Sequence, residues 1–139
     1  MNNENLGRTI TTAQFGEIEI EPRHIFHFPQ GLLGFEELCD FVLISEEETL
    51  PFKWLISVEQ PDIGFPLLSP WLIELDYSPG KSYNLDEQVF FAIVTLGDGA
   101  GRMTANLKAP IILNVREQKG EQVILPTDKY SPEQIIGEA

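Results

Sequence analysis

Apolar residues in this chain recur mainly with a period of two, in short runs broken by Gly, Pro, Asn and Asp, the pattern of half-buried strands joined by turns. Residues 9–13 and 16–20 form the first such pair. In the second of them Ile18 and Ile20 alternate with Glu17, Glu19 and Glu21, whose carboxylates are expected to face water. Residues 24–28 (HIFHF) read as strand, with His24, Phe26 and Phe28 on one side and Ile25 and His27 on the other; residues 41–44 read as a buried strand. The strongest signal is 52–58 (FKWLISV), where Phe52, Trp54, Ile56 and Val58 share a face and Trp54 is expected to pack in the core. Residues 63–68 extend next, with Pro66 pointing to an edge or a bulge, and 71–77 (WLIELDY) alternate well enough to predict a strand that leads into a hairpin. Residues 89–96 (VFFAIVTL) are almost continuously apolar and predict a central strand beside 103–115 (MTANLKAPIILNV). Within 103–115, Pro110 lacks a backbone donor and is read as a strand start or an edge, with Ile111, Ile112, Leu113 and Val115 as the buried strand behind it. Residues 121–125 supply the last strand.

The segments between these runs are turns by composition. Residues 29–36 (PQGLLGFE) set a proline and two glycines around two leucines, which predicts a loop with turns only glycine makes cheaply. Gly34 precedes a short helical turn that places Phe35 and Leu38 on one face and Glu36 and Glu37 off it. Turns are expected at 46–48, 60–62, 78–80 and 116–120, with a brief helical turn at 85–88 behind Asn84. Residues 1–8 are expected to be a flexible N-terminus, 9–130 a single domain, and 131–139 a loose C-terminal tail. The expected fold is mainly β: a single-domain, antiparallel, barrel-like body with one or two short helical turns.

Composition narrows the chemistry. At 139 residues the chain is long enough for one well-buried core, and its single cysteine, Cys39, has no partner for a bridge and no zinc-site spacing around it. No stretch reads as a signal peptide or membrane span, so a soluble protein is expected; the lone cysteine fits a reducing, cytoplasmic setting, and a monomer is expected. The formal net charge is −13, with residues 1–60 more acidic than the rest, which disfavours direct nucleic-acid binding and favours basic partners. The glycine-rich turn at 97–102 (GDGAGR) lacks the following helix and the lysine and hydroxyl of a phosphate loop. His24 and His27 point opposite ways along a regular strand and cannot share a metal; Glu46, Glu47 and Glu48 lack the glycine and alternating ligands of a calcium loop. No nucleophile elbow or metal-binding histidine pair is present, so no catalytic residue, metal or cofactor is expected and the protein is read as a non-enzyme.

Five ordered blocks carry a family resemblance: FPQGLLGFE (28–36), PFKWLISV (51–58), FFAIVT (90–95), TANLKAPIILNV (104–115) and GEQVIL (120–125). Together they resemble the flagellar assembly factor FliW family over nearly the whole chain. The resemblance implies a cytoplasmic, non-enzymatic, mostly β protein that binds flagellin before export. When free of flagellin, such a protein binds and antagonises CsrA, an RNA-binding translational repressor of flagellin synthesis. The chain departs from the family pattern at Ile56, where glutamine is usual after Trp-Leu, and at Pro66 and Trp71.

Candidate partner-contact residues are Gln30, Phe35 and Glu36 in the glycine loop, Asn106 and Lys108 ahead of Pro110, and Gln122 in the last strand. Each has a structural alternative; Asn106 and Gln122 would equally well satisfy backbone groups at turns and edges. The competing class is a small-ligand-binding or enzymatic barrel with a polar interior pocket, which a closed, polar concavity would distinguish from a packed core with an open surface patch.

Overall fold

In the computed structural model, which describes residues 8–80, 83–97 and 99–138, the period-two runs become strands that close on themselves. In chain order β3 (Ile25–His27), β4 (Asp40–Ser45), β5 (Lys53–Ser57), β6 (Gly64–Leu68), β7 (Gln88–Thr95), β8 (Arg102–Asn114) and β9 (Lys119–Gln122) each pair antiparallel with the next. β9 then meets β3 through one parallel pair, His27 with Lys119, which closes a seven-strand barrel. Closure removes sheet edges that would otherwise present unpaired backbone groups. β1 (Arg8–Thr12) and β2 (Gly16–Ile20) form a separate hairpin, and β10 (Gln134–Glu138) adds to the first part of β8 outside the ring.

Alternation decides which residues fill the barrel. Phe41, Leu55, Leu67, Ile111 and Leu113 have no measurable exposure and pack inside with Phe26, Phe28 and Phe91. The Phe28 and Phe41 rings meet edge-on at 5.2 Å, an arrangement worth about 1 kcal/mol beyond the area buried. The opposite faces of the same strands are covered too. Val42, Trp54 and Ile56 lie under the β1–β2 hairpin with Ile20, and Phe15 meets Trp54 edge-on at 5.4 Å, so both faces of β5 are buried. Trp54 is therefore a core residue, its indole donating to Thr49 Oγ1 at 3.0 Å. On the other side Ala92, Val94, Ala105 and Leu107 of β7 and β8 pack under Tyr77, Leu125 and Tyr130.

Several expectations are corrected by the packing. Residues 71–77 are not a strand. Pro70, whose fixed φ suits the first helical position, starts one turn, α1 (Pro70–Ile73), and the Glu74 and Tyr77 amides close onto Pro70 O and Glu74 O at 2.9 and 3.0 Å. Trp71 then lies edge-on against Tyr77 and Phe90, and its indole donates to Tyr77 O at 2.9 Å, so the segment lids the outer face of β7. Pro110 is buried within β8, the longest strand, rather than at its start. Residues 24–28 shorten to β3, because Pro22–His24 form a 3₁₀ turn; residues 35–38 make a hydrogen-bonded turn, Leu38 N to Phe35 O at 3.1 Å, and no helix. β6 is an interior strand, but β7 pairs only with its Leu67 and Leu68, so Pro66 has a strand neighbour only on the β5 side, at Trp54. The last strand of the ring is shifted earlier than 121–125, and Val123 and Leu125 instead donate to Pro110 O and Lys108 O at 3.2 and 2.8 Å. The tail expected to be loose at 131–139 contains β10, which pairs with β8 at residues 102–105, while Tyr130 just before it is buried. The flexible stretch expected at residues 1–7 lies outside the described residues, as does Asp98 of the 97–102 turn, and Arg8 belongs to β1.

Tyr77 supplies a pH-dependent part of the stability. It is 4% exposed, its hydroxyl donates to Leu107 O at 2.8 Å, and burial, with Tyr130 and Tyr83 beside it, pushes the phenol well above its ordinary value near 10. The folded state therefore holds this proton more tightly than the unfolded chain does. Its contribution is fully present below about pH 10 and falls as pH rises further. Urea unfolding followed from pH 8 upward is expected to show this loss in the wild type, and to show a shallower loss in Tyr77→Phe, which costs about 1 kcal/mol at neutral pH.

Candidate functional site: two grooves around the 29–36 loop

The loop at residues 29–36 owes its shape to two glycines. Gly31 (φ +64°) and Gly34 (φ +88°) reverse the chain twice, and Leu32 and Phe35 form an isolated bridge between the reversals. Leu32 is pressed into the barrel interior and Phe35 sits edge-on to Phe65 at 5.2 Å, whereas Leu33 between them is left 52% exposed. One side chain from the far end of the sequence holds this loop in place. Gln122 Oε1 accepts from Leu33 N at 2.9 Å while its Nε2 donates to Ala109 O at 3.1 Å.

Ala109 belongs to a large bulge in β8. Phe91 pairs with Ile111 and Ile93 pairs with Asn106, so residues 107–110 of β8 stand opposite Ala92 alone. Pro110, which cannot donate, is tolerated there. The bulge's backbone groups find partners elsewhere: Ala109 N donates to Asn106 Oδ1 at 2.9 Å and Leu107 N to Ser131 O at 3.0 Å. Gln122 thus joins the bulge to the loop. Truncation in Gln122→Ala is expected to cost about 1 kcal/mol and to speed exchange of the Leu33 amide roughly tenfold, read by hydrogen–deuterium exchange.

Two surface grooves flank Leu33. The first, about 500 Å³, is lined by the buried Leu32, Ile112 and Gly120 and by the polar Gln30, Glu36 and Gln122. It also carries Glu117 and Glu121 against a single cation, Lys119. The second, about 540 Å³, lies where the β7–β8 pair leaves the barrel; Leu32, Phe65 and Ile93 line its apolar part, and Thr95, Thr104, Asn106, Gln122 and Glu133 its polar part. Leu32, Leu33 and Gln122 belong to both. The barrel interior itself is filled by apolar side chains, so the concavities are at the surface. Among the described residues no cluster of His, Cys, Asp and Glu is arranged to hold a metal, and no helix is long and apolar enough to cross a membrane.

The candidate residues thus divide. Gln30, Glu36 and Gln122 meet in the first groove, and Asn106 and Gln122 in the second. Phe35 lies beneath, in the aromatic packing. Lys108 is apart from both: its Nζ donates to Thr127 O at 2.5 Å and lies 3.9 Å from Asp128. His27 pairs with Asp40 at 2.8 Å on the exposed surface and lines neither groove. Sequence reasoning overlooked Leu33, Thr95, Thr104 and Glu121. The two threonines had a readable signal, since they end the inward-facing series on strands expected to be neighbours, and they do stand directly opposite one another.

A family model described as FliW protein matches residues 9–136. The flagellar assembly factor FliW of Thermotoga petrophila is 37% identical over 136 residues, covering 91% of each chain. That of Leptospira biflexa is 40% identical over 136 residues, covering 88% of this chain and 87% of its own. A crystal structure of the flagellar assembly factor FliW superimposes with a TM-score of 0.83 at 33% identity, covering 95% of this chain and 99% of that one. The strand-closed barrel, the extent of these matches and the order of the sequence blocks lead to one assignment: the chain belongs to the FliW family.

Proposed function

We propose that this chain is a cytoplasmic flagellar assembly factor that works by binding, without catalysis. It holds flagellin before export and, in competition with flagellin, binds and antagonises the translational repressor CsrA, coupling flagellin synthesis to its consumption. The observation that carries this reading is the shared wall: two grooves of unlike chemistry meet at Leu33 and Gln122, so an occupant that moves Leu33 towards either side alters the other. Sharing a wall makes two partners mutually dependent without any long-range pathway.

The charge supports the repressor half of the reading. A net charge of −13 attracts a basic RNA-binding protein and repels RNA from the same complex. The test is co-purification with flagellin and with CsrA, each challenged by the other. Capture of each partner and displacement of one by the other is the expected result; failure of both partners to bind sinks the reading, and binding of flagellin alone removes the switch. Association with CsrA is expected to slow by about tenfold or more between low and roughly 0.5 M salt in stopped-flow measurements, and an unchanged rate would exclude electrostatic steering.

A further inference from the structure

Thr104 is 6% exposed, yet its hydroxyl makes no hydrogen bond to any described residue. It is not sealed in the protein, because no fully enclosed side-chain nitrogen or oxygen among the described residues lacks a partner; the hydroxyl opens into the groove it lines at the barrel mouth. A valine would have filled the same volume without offering a polar group to the groove. Thr95 faces Thr104 directly across the β7–β8 ladder and adds a second, exposed hydroxyl with no hydrogen bond to a described residue. Asn106 uses its oxygen on Ala109 N and keeps its amide NH₂ for another acceptor. At the rim Glu133 has no ion-pair partner among the described residues. These groups surround an apolar patch of Leu32, Phe65 and Ile93.

We propose that the barrel mouth seats an amphipathic protein segment. One large apolar side chain of that segment rests on Phe65 and Ile93, its backbone groups exchange hydrogen bonds with Thr95, Thr104 and Asn106, and a basic side chain meets Glu133. This is the chemistry the lining asks for: neutral donors and acceptors beside an apolar patch, with one uncompensated negative charge at the edge. The proposal rests on the partner reading above and adds the place and the groups. Of those two partners, the mouth, with four uncharged polar side chains and one carboxylate, is assigned to flagellin because the basic repressor is drawn to the more acidic groove. The first groove, with Glu36, Glu117 and Glu121 against Lys119, suits the basic repressor.

The test titrates fluorescently labelled monomeric flagellin with the full-length chain and three variants, each checked by its urea midpoint. Thr104→Val removes the hydroxyl at constant volume and is expected to weaken flagellin binding about tenfold while leaving CsrA binding within about twofold. Thr95→Trp lays an indole across the rim and is expected to weaken it at least as much. Glu19→Gln, on the distant β2 hairpin, reports the wild-type value. Flagellin binding within about twofold of wild type in both mouth variants overturns the site and leaves the flagellin reading standing; absence of binding by the wild type overturns that reading and the site with it. A wild-type dimer that Thr95→Trp converts to monomer would make the mouth a self-interface and also overturn the proposal.

Discussion

Gly31→Ala is expected to lower the unfolding free energy by about 3 kcal/mol and to weaken the partner binding proposed for the two grooves. Two costs combine. At φ +64° an alanine pays the left-handed penalty of about 1–2 kcal/mol, and its Cβ would stand 2.5 Å from Phe35 O and 2.7 Å from Glu36 O and Cα. Those atoms are backbone, so the 29–36 loop cannot yield by changing a rotamer; it has to move as a unit. Moving it dislodges Leu32 from the barrel and Leu33 from Gln122, which are the elements the grooves share. A urea midpoint shift equivalent to less than about 1 kcal/mol, with unchanged exchange at the Leu33 amide, would show that the loop rearranges cheaply and does not shape the grooves.

Gly120→Ala should be comparably damaging for a different reason. Gly120 has ordinary backbone geometry and pairs with Leu113 in the β8–β9 ladder, but an added Cβ would lie 2.5 Å from Phe28 Cε1, 2.7 Å from Cε2 and closer still to Cζ. Phe28 is fully buried against Phe41, so its ring has little room to retreat, and overpacking of this kind costs about 2–3 kcal/mol. The pair should be strongly coupled. Phe28→Leu alone leaves a cavity, yet in combination with Gly120→Ala it makes room for the methyl, so the double variant should be at least about 1 kcal/mol more stable than the sum of the single effects implies. Additive effects would mean that Phe28 escapes the methyl by another route.

Local patterning carried most of the strand assignments because a barrel strand has one face inside, and a period of two is the direct record of that constraint. The run 52–58 was legible for this reason, and so was the pairing of β7 with β8 across a short glycine-rich turn. Where the pattern misled, a second cause outweighed alternation. In 71–77 the proline at the first position and the indole hydrogen bond to Tyr77 O made a helical turn from a sequence that alternates like a strand. At Pro110 the missing donor marked a real irregularity, but the bulge lies inside a continuous strand, since Asn106, Gln122 and the chain at 123–125 supply partners from outside the regular ladder.

The candidate site was legible only in pieces. Their place in a glycine loop marks Gln30 and Glu36 in the sequence, and both line the first groove. In sequence Asn106 and Gln122 fit either a backbone-satisfying or a partner-facing role; in the fold both satisfy backbone groups, and both also line the second groove. Lys108 looked equivalent to Asn106 two residues away, but the bulge sends its ammonium to Thr127 O instead.

The chain by itself determined its class, its strand-rich body and its acidity, and the ordered blocks pointed to its family, since each of these is a property of nearby residues or of their sum. Only the tertiary structure decided that Gln122 reaches Leu33 across 89 positions, that the residues after Tyr130 return to pair with β8, and that one exposed leucine divides two grooves. Those outcomes depend on barrel closure and on the register of strands distant in sequence, and a one-residue change in register would send every one of these side chains to the opposite face.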